Sequence, residues 1–393
     1  MSKRSTSPPI LTSAMARAMW IRAQRLDTHE PFGDGPQATR AAVEHLGYVQ
    51  IDTINVIERC HHHILFSRIP GYRREHLHRA QTIDKSVFEF WTHALSYVPT
   101  RDMPYYVTSM KRGETKAATW FGNVTPAEVR KVIARIRREG PLSIRDIDDD
   151  ELVEKTHAWA SKKPSKKALQ LAFFTGRLAI SERLGMVKTY ELMERHFGWS
   201  RLPKPARPTE ITDYLLDRSL RAQCFVSLDS ICHLNAPKKP LVRAAIARRV
   251  RRKELVQVRL EGHEIVELWA KPETLETGAL PLDTALVHIL SPFDPLIIQR
   301  KRLHHVFGYE HRFEAYVPKD KRIYGYFALP VLIGDQIVAA IDLKCDRAAK
   351  HLKIQQWNWI GRHGGKATKA RIEEALHRFE AFQLAPSIES AAY

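Results

Sequence analysis

Residues 47–63 read GYVQIDTINVIERCHHH, and the reading of the rest of the chain works outward from them. Alternation in an extended strand sends Val49 and Ile51 to one face and Tyr48, Gln50 and Asp52 to the other, so that an amide and a carboxylate stand side by side. The run that follows, TINVIERCHHHILFSRI, predicts a helix with Ile54, Ile57, Ile64 and Leu65 on or near one apolar stripe. His61, His62 and His63 would then lie within about three turns of the carboxylate. An Asp directly before a helical run also fits a helix N-cap, with Gln50 an ordinary solvated strand residue, and the pattern alone leaves both readings open.

The totals narrow the partners. The chain has 393 residues and 44% apolar content, enough for two to four packed domains. Lys and Arg number 62 against 44 Asp and Glu, a formal charge of +18 that favours a polyanion, nucleic acid before an anionic membrane. No apolar run of about 18 residues spans a membrane, and the start MSKRSTSPPI has no apolar segment for secretion. The expected location is the cytoplasm. Cys60, Cys224, Cys232 and Cys345 form no C-x-x-C pair, which argues against a zinc site or a disulfide framework. The three consecutive histidines point about 100° apart on a helix and do not easily share one ion, so neither a metal nor another cofactor is expected.

Taken in order, residues 1–11 read as a loose N-terminus. A helix from Thr12, a Pro/Gly/Asp loop and a helix over 37–46 feed the strand already described, and residues 67–110 suggest two more helices, the second carrying FEFWTHALSYVP. Residues 12–124 thus read as a first winged-helix module. A second, 125–203, opens on the capping box Thr125-Pro126-Ala127-Glu128, restarts a helix near GPLSIRDI, and ends in a Lys-rich helix and the hairpin LAISERLGMVKTYEL. A third, 204–272, repeats helix, helix, basic helix and hairpin, the last being LVQVRLEGHEIVELWA around Glu261-Gly262-His263. The candidate DNA contacts are Lys166 and Lys167 in the second module and Arg248, Arg249, Arg251, Arg252 and Lys253 in the third. A solvated charged face would look the same in sequence.

From about residue 273 short segments rich in Val, Ile, Tyr and Phe replace the helices, predicting a small β-sheet or barrel, a β-rich, barrel-like domain over 273–393, with the closing helix KATKARIEEALHRFEAFQL. The expected fold class is therefore α+β: three tandem winged-helix modules followed by a β-rich domain. Arg300, Lys301, Arg302, Lys321 and Arg322 could touch phosphates there or merely solvate its surface.

GYVQIDTINVIERCHHH, together with FDPLI, HRFEAYVPKDKRIYGYFALPVLIGD and KKALQLAFFTGRLAI, resembles the AlkZ and YcaQ family of bacterial DNA glycosylases over nearly the whole chain. The resemblance implies a concave DNA-binding surface and removal of N7-alkylated guanines, including the unhooking of interstrand cross-links. It also implies a catalytic Gln-apolar-Asp motif at Gln50, Ile51 and Asp52, which places the sequence in the YcaQ-like branch. His61, His62, His63 and Arg68, next in line after the motif, would touch phosphates or the far side of the lesion, although the histidines could equally pack in a core. The expected partner is double-stranded DNA carrying an alkylated guanine or a cross-link, bound by a monomer.

So sparse a site makes chemical sense. Sugar hydrolysis ordinarily uses two carboxylates, one to protonate the leaving group. An N7-alkylated guanine already carries positive charge and leaves without a general acid, so one carboxylate suffices. The competing reading is a winged-helix transcription factor or architectural protein without chemistry, which the charge and the basic helices would serve equally well but which has no need of the Gln50/Asp52 pair.

Overall fold

The computed structural model describes residues 7–121, 124–147, 163–276 and 280–386, with side chains 114–121 outside the description. Contacts divide the chain into two units: residues 1–73 with 212–386, and residues 74–211. The acidic stretch DDDELVEK lies outside the described residues.

In the first unit β1 (Ile10–Leu11) leads into α1 (Ser13–Ala23), whose N-cap Thr12 accepts from the Met15 amide. α2 (Gly35–Leu46) stops at Gly47, which adopts φ +78. Only glycine serves well there: the left-handed backbone excludes most side chains, and an added Cβ would fall 2.4 Å from the Arg218 side chain. β2 (Val49–Gln50) and α3 (Cys60–Phe66) follow.

The predicted helix from Thr53 does not form, since residues 51–59 are a loop and α3 begins only at Cys60. Thr53, Ile54, Val56 and Ile57 are β-branched and poor helix formers. Tertiary partners also claim the loop backbone, as described below, so Asp52 caps no helix.

The second unit holds α4 (Arg74–Thr82), β3 (Val87–Trp91), β4 (Leu95–Pro99), α5 (Pro104–Phe121), α6 (Pro126–Glu139), β5 (Leu142–Ser143), α7 (Pro164–Phe174), β6 (Leu178–Leu184), β7 (Val187–Leu192) and α8 (Met193–Phe197). FEFWTHALSYVP is a β-hairpin and not a helix, with Phe88 opposite Val98 and Phe90 opposite Ser96. Its alternating aromatic and β-branched residues suit a pleated surface better than a helix. GPLSIRDI supplies β5 and a single 3-10 turn in place of an α-helix start. The capping box at Thr125 forms with both its bonds. β5, β7 and β6 make one sheet, held through β6 to the rest of the unit by a buried Glu89–Arg183 ion pair.

The chain returns to the first unit along α9 (Pro208–Gln223), then β8 (Phe225–Val226), α10 (Leu228–Ile231), α11 (Lys239–Arg251), β9 (Val256–Leu260) and β10 (Leu268–Ala270). These strands form a sheet in the order β1-β9-β10-β8. Leu216, Val226, Ile246 and Trp269 pack a local core beneath it.

β11 (Val287–Ile289), α12 (Arg300–Phe307), β12 (Ala328–Ile333), β13 (Gln336–Asp346), β14 (His351–Trp359) and α13 (Lys366–Leu384) complete the unit. The four strands run antiparallel in the order β11-β12-β13-β14, and among the described residues they form an open sheet, the first of the two expected forms, and not a barrel. Gly334 turns β12 into β13, and Ile372, Leu376 and Phe379 of α13 are buried. A second core joins Trp20 and Leu26 to Phe225, Val258, Leu296 and Leu332. Arg302 is part of that core: its guanidinium lies 4.3 Å from the Trp20 ring and 4.2 Å from Phe225, and donates to the Phe225 carbonyl at 2.8 Å. That side chain is spent on packing and cannot reach a phosphate.

Candidate active site

Val49 and Gln50 are buried, and the two residues after them carry the chain out of the strand so that Asp52 is half-buried and Thr53 exposed. The Asp52 carboxylate accepts the Ile54 amide at 2.9 Å, a local turn that aims its Oδ1 back along its own backbone. Burial pushes its pKa above the ordinary carboxylate value, while the amides of Ile54 and Thr53 pull the other way. Both amides are donors, and neither supplies a positive charge.

The loop carrying Asp52 is fixed at several points. Cys60 donates its thiol to the Gln50 carbonyl at 3.1 Å, tying the start of α3 to the end of β2. That thiol is held protonated, its pKa raised well above the ordinary value by burial and then by the nearby Asp52 charge. The Cys345 amide of β13 donates to the Val56 carbonyl at 2.9 Å. Arg347, just past β13, donates to the Asn55 side chain at 2.7 Å, the Asn55 carbonyl at 3.2 Å and the Ile57 carbonyl at 3.3 Å. The Glu58 amide donates to Gln383 of α13 at 2.5 Å. The C-terminal sheet and helix therefore shape the loop. The motif itself gave no hint of these partners, because they lie at the opposite end of the sequence.

Of the residues after the loop, the histidines take the packed alternative and Arg68 departs from the expected phosphate contact. His61, His62 and His63 are all buried. His62 Nδ1 meets the Tyr72 hydroxyl at 2.7 Å, and His63 Nε2 donates to the Ile289 carbonyl at 2.7 Å while its ring packs 4.7 Å from Phe379. Burial lowers the His63 pKa to about 4, so the ring is neutral at physiological pH. Arg68, expected at a phosphate, is instead fully enclosed. Its fork donates to both Asp294 oxygens at 2.7 and 3.0 Å, to the Gln24 backbone and side chain at 2.9 Å each, and to the Ile64 carbonyl at 3.1 Å. Asp294 belongs to FDPLI, so this motif is the buried counter-ion of Arg68.

The basic helices divide in two. Lys166 is exposed and Lys167 half-buried at the start of α7. In α11, Arg248 binds both oxygens of Asp213 at 2.6 and 2.7 Å, and Arg249 is paired with Asp217. These two arginines hold α11 to α9. Arg251, Arg252 and Lys253 are exposed at the end of the same helix. Among the described residues no set of three His, Cys, Asp or Glu side chains could hold a metal ion, and no helix is long and apolar enough to cross a membrane.

This arrangement of helices and small sheets is similar to that of a solved DNA glycosylase. The Streptomyces sahachiroi DNA glycosylase AlkZ is similar in structure with a TM-score of 0.63 at 17% sequence identity, covering 95% of this chain and 98% of that chain. The family model described as DNA glycosylase AlkZ-like matches residues 43–382, and the chain belongs to that family. Its substrate is thus DNA and its activity that of a glycosylase. The matched span begins within α2 and ends within α13, so it includes the Asp52 loop and the elements that pin it.

Proposed function

We propose that this DNA glycosylase hydrolyses the N-glycosidic bond of N7-alkylated guanine, including guanines tied in interstrand cross-links, with Asp52 and Gln50 as its catalytic pair. The observation that carries the reading is the Asp52 carboxylate, partly desolvated and, among the described residues, without an ion pair that would lower its basicity. A water attacks C1′ as the C1′–N9 bond breaks, and the bonding electrons neutralise the positive charge of the alkylated guanine. Asp52 stabilises the sugar cation and takes the proton of the attacking water. Gln50 orients that water without adding a second negative charge. The products are a neutral alkylguanine and an abasic sugar, and Asp52 returns its proton to solvent. No general acid is needed, because the base is already cationic before the bond breaks and departs neutral.

The helix, strand, helix, helix, hairpin order from α9 to β10 supports reading 208–270 as a winged-helix module, and α6, β5, α7 and the β6–β7 hairpin support a second. Exposed Lys166, Arg251, Arg252 and Lys253 are the basic-helix residues best placed to meet phosphates. Family membership favours this catalytic reading over a non-catalytic winged-helix regulator.

The test is single-turnover incubation of wild type and Asp52→Asn with a duplex carrying one N7-methylguanine, followed by heating in base to cut abasic sites. Wild type should give strand scission, and the variant should be slower by about 100- to 10,000-fold, roughly 3 to 5 kcal/mol of barrier. A variant as fast as wild type would remove Asp52 from the reaction.

A further inference from the structure

We infer that the second unit carries a DNA-strand site of its own, a cleft between α5 and the segment 198–205 in which Lys111, Arg201 and Lys204 take phosphates and Trp199 takes a base. It rests on DNA being the substrate and is independent of the chemistry assigned to Asp52.

The cleft has a volume of about 690 Å³. Val107 and Lys111, one turn apart on α5, form one wall, and the Pro-rich segment from Gly198 forms the other. Among the described residues no carboxylate lines it. Lys111, Arg201 and Lys204 are exposed on it, and among the described residues none of the three forms an ion pair. The contrast with Arg248 and Arg249 of α11, each held by an aspartate, is the reason to look here. Glu210, the carboxylate that feels Lys204, is already paired with Arg207 at 2.7 Å.

The wall is rigid as well as basic. Trp199 stacks on Phe197 with centroids 4.4 Å apart and planes 16° from parallel. Its amide donates to the Glu194 carbonyl at 2.9 Å, and Ala206 donates to the Pro104 carbonyl at 2.9 Å, so the segment is tied at both ends. Pro203 and Pro205 restrict the backbone between these ties. Exposed cations beside a fixed half-buried indole match a track for a phosphodiester strand with a stacked base better than a pocket for a small molecule.

The experiment is a fluorescence-anisotropy titration of the full chain with an undamaged labelled duplex across a range of salt. The proteins compared are wild type, Arg201→Glu/Lys204→Glu, Trp199→Ala and Trp199→Phe. The double variant should bind at least 10-fold more weakly, with a slope of log affinity against log salt shallower by about 2, one unit for each lost phosphate contact. Trp199→Ala should lose roughly 5- to 100-fold with little change in slope, and Trp199→Phe, which keeps a ring on Phe197, should recover most of it. Wild-type affinity and slope in the double variant would overturn the site, as would a loss of affinity with the slope unchanged. Because the DNA is undamaged, this titration does not depend on excision: a wild type that fails to excise N7-methylguanine in the single-turnover test would count against the catalytic reading and leave this result standing.

Discussion

Asp52 and Arg68 sit on one short stretch of chain and have opposite fates. Asp52 lies on a loop whose backbone is held by distant elements, and its carboxylate is only partly withdrawn from water. Arg68 follows α3 into the core, where every direction of its fork ends on an acceptor of the protein. A charge available for chemistry and a charge used for architecture look alike in sequence. The difference lies in whether the partner is protein or solvent, and it divides this stretch near Cys60.

Substituting Asp52 should have the largest effect and should fall on rate alone. Its raised pKa means that the folded protein binds this proton more tightly than the unfolded chain, so above the folded pKa the ionised carboxylate slightly opposes folding. Asp52→Asn should therefore be at least as stable as wild type at neutral pH while losing about 100- to 10,000-fold in single-turnover rate. The wild-type rate should fall on the acid side with a midpoint above that of an ordinary carboxylate, and this limb should vanish from the residual activity of the variant. Thermal melts and a pH–rate profile measure both; a destabilised variant would make Asp52 architectural, like Arg68.

Arg68→Ala should do the reverse. It leaves Asp294 buried without its counter-ion, at a cost of about 3 to 5 kcal/mol of stability by denaturant titration. Arg68→Met combined with Asp294→Leu should recover much of that loss, since an apolar pair needs no desolvation. Neither protein, where folded, should change the salt slope of DNA binding, and a shallower slope would return Arg68 to the phosphate-binding set.

The acid side of stability sharpens the same division. His63 and His288 are held neutral by burial with pKa values lowered to about 4, and His288 Nε2 donates to the Leu26 carbonyl at 2.9 Å. In the unfolded chain each would take a proton near pH 6.5, so their contribution is complete above about 6.5 and is lost as pH falls toward 4. The shift corresponds to roughly 3 kcal/mol for each ring. Denaturant midpoints measured between neutrality and pH 4 should fall steeply, and His63→Phe should flatten part of the fall.

How far the sequence could be read follows from the range of the interactions. Gly47 ending a helix, the Thr125 capping box, the β6–β7 hairpin and α13 are local signals and appear as expected. The helix expected from Thr53 failed because β13 and α13 outbid local propensity for the loop backbone. Residues 88–99 pair as a hairpin where a helix was expected, because aromatic and β-branched side chains pack well on a pleated surface, and sheet and barrel could not be told apart because the strands themselves do not reveal whether a sheet meets its own edge. The Gln50 and Asp52 pair was legible as a motif. Cys60, Cys345, Arg347 and Gln383 were not, since nothing near them in sequence marks them as its supports.

Arg347 gives the subtlest test, because it acts on the loop from outside the motif. Its three hydrogen bonds reach Asn55 and Ile57, whose loop also bears Asp52, and it lies at the protein surface. Surface hydrogen bonds add little to stability, so Arg347→Ala should shift the melting midpoint hardly at all. A carboxylate allowed to wander by a fraction of an ångström should still cost rate, and about a 10-fold loss at saturating enzyme is expected. Arg347→Lys should recover only part of it, since one ammonium cannot span the two carbonyls and the amide that the guanidinium reaches. DNA affinity separates this role from a phosphate contact: a positioning residue leaves the dissociation constant and its salt slope unchanged, whereas a phosphate contact loses about one unit of slope and keeps the saturated rate. The second pattern would mean that the loop keeps its shape without the sheet, and that β2 and Cys60 suffice to place Asp52.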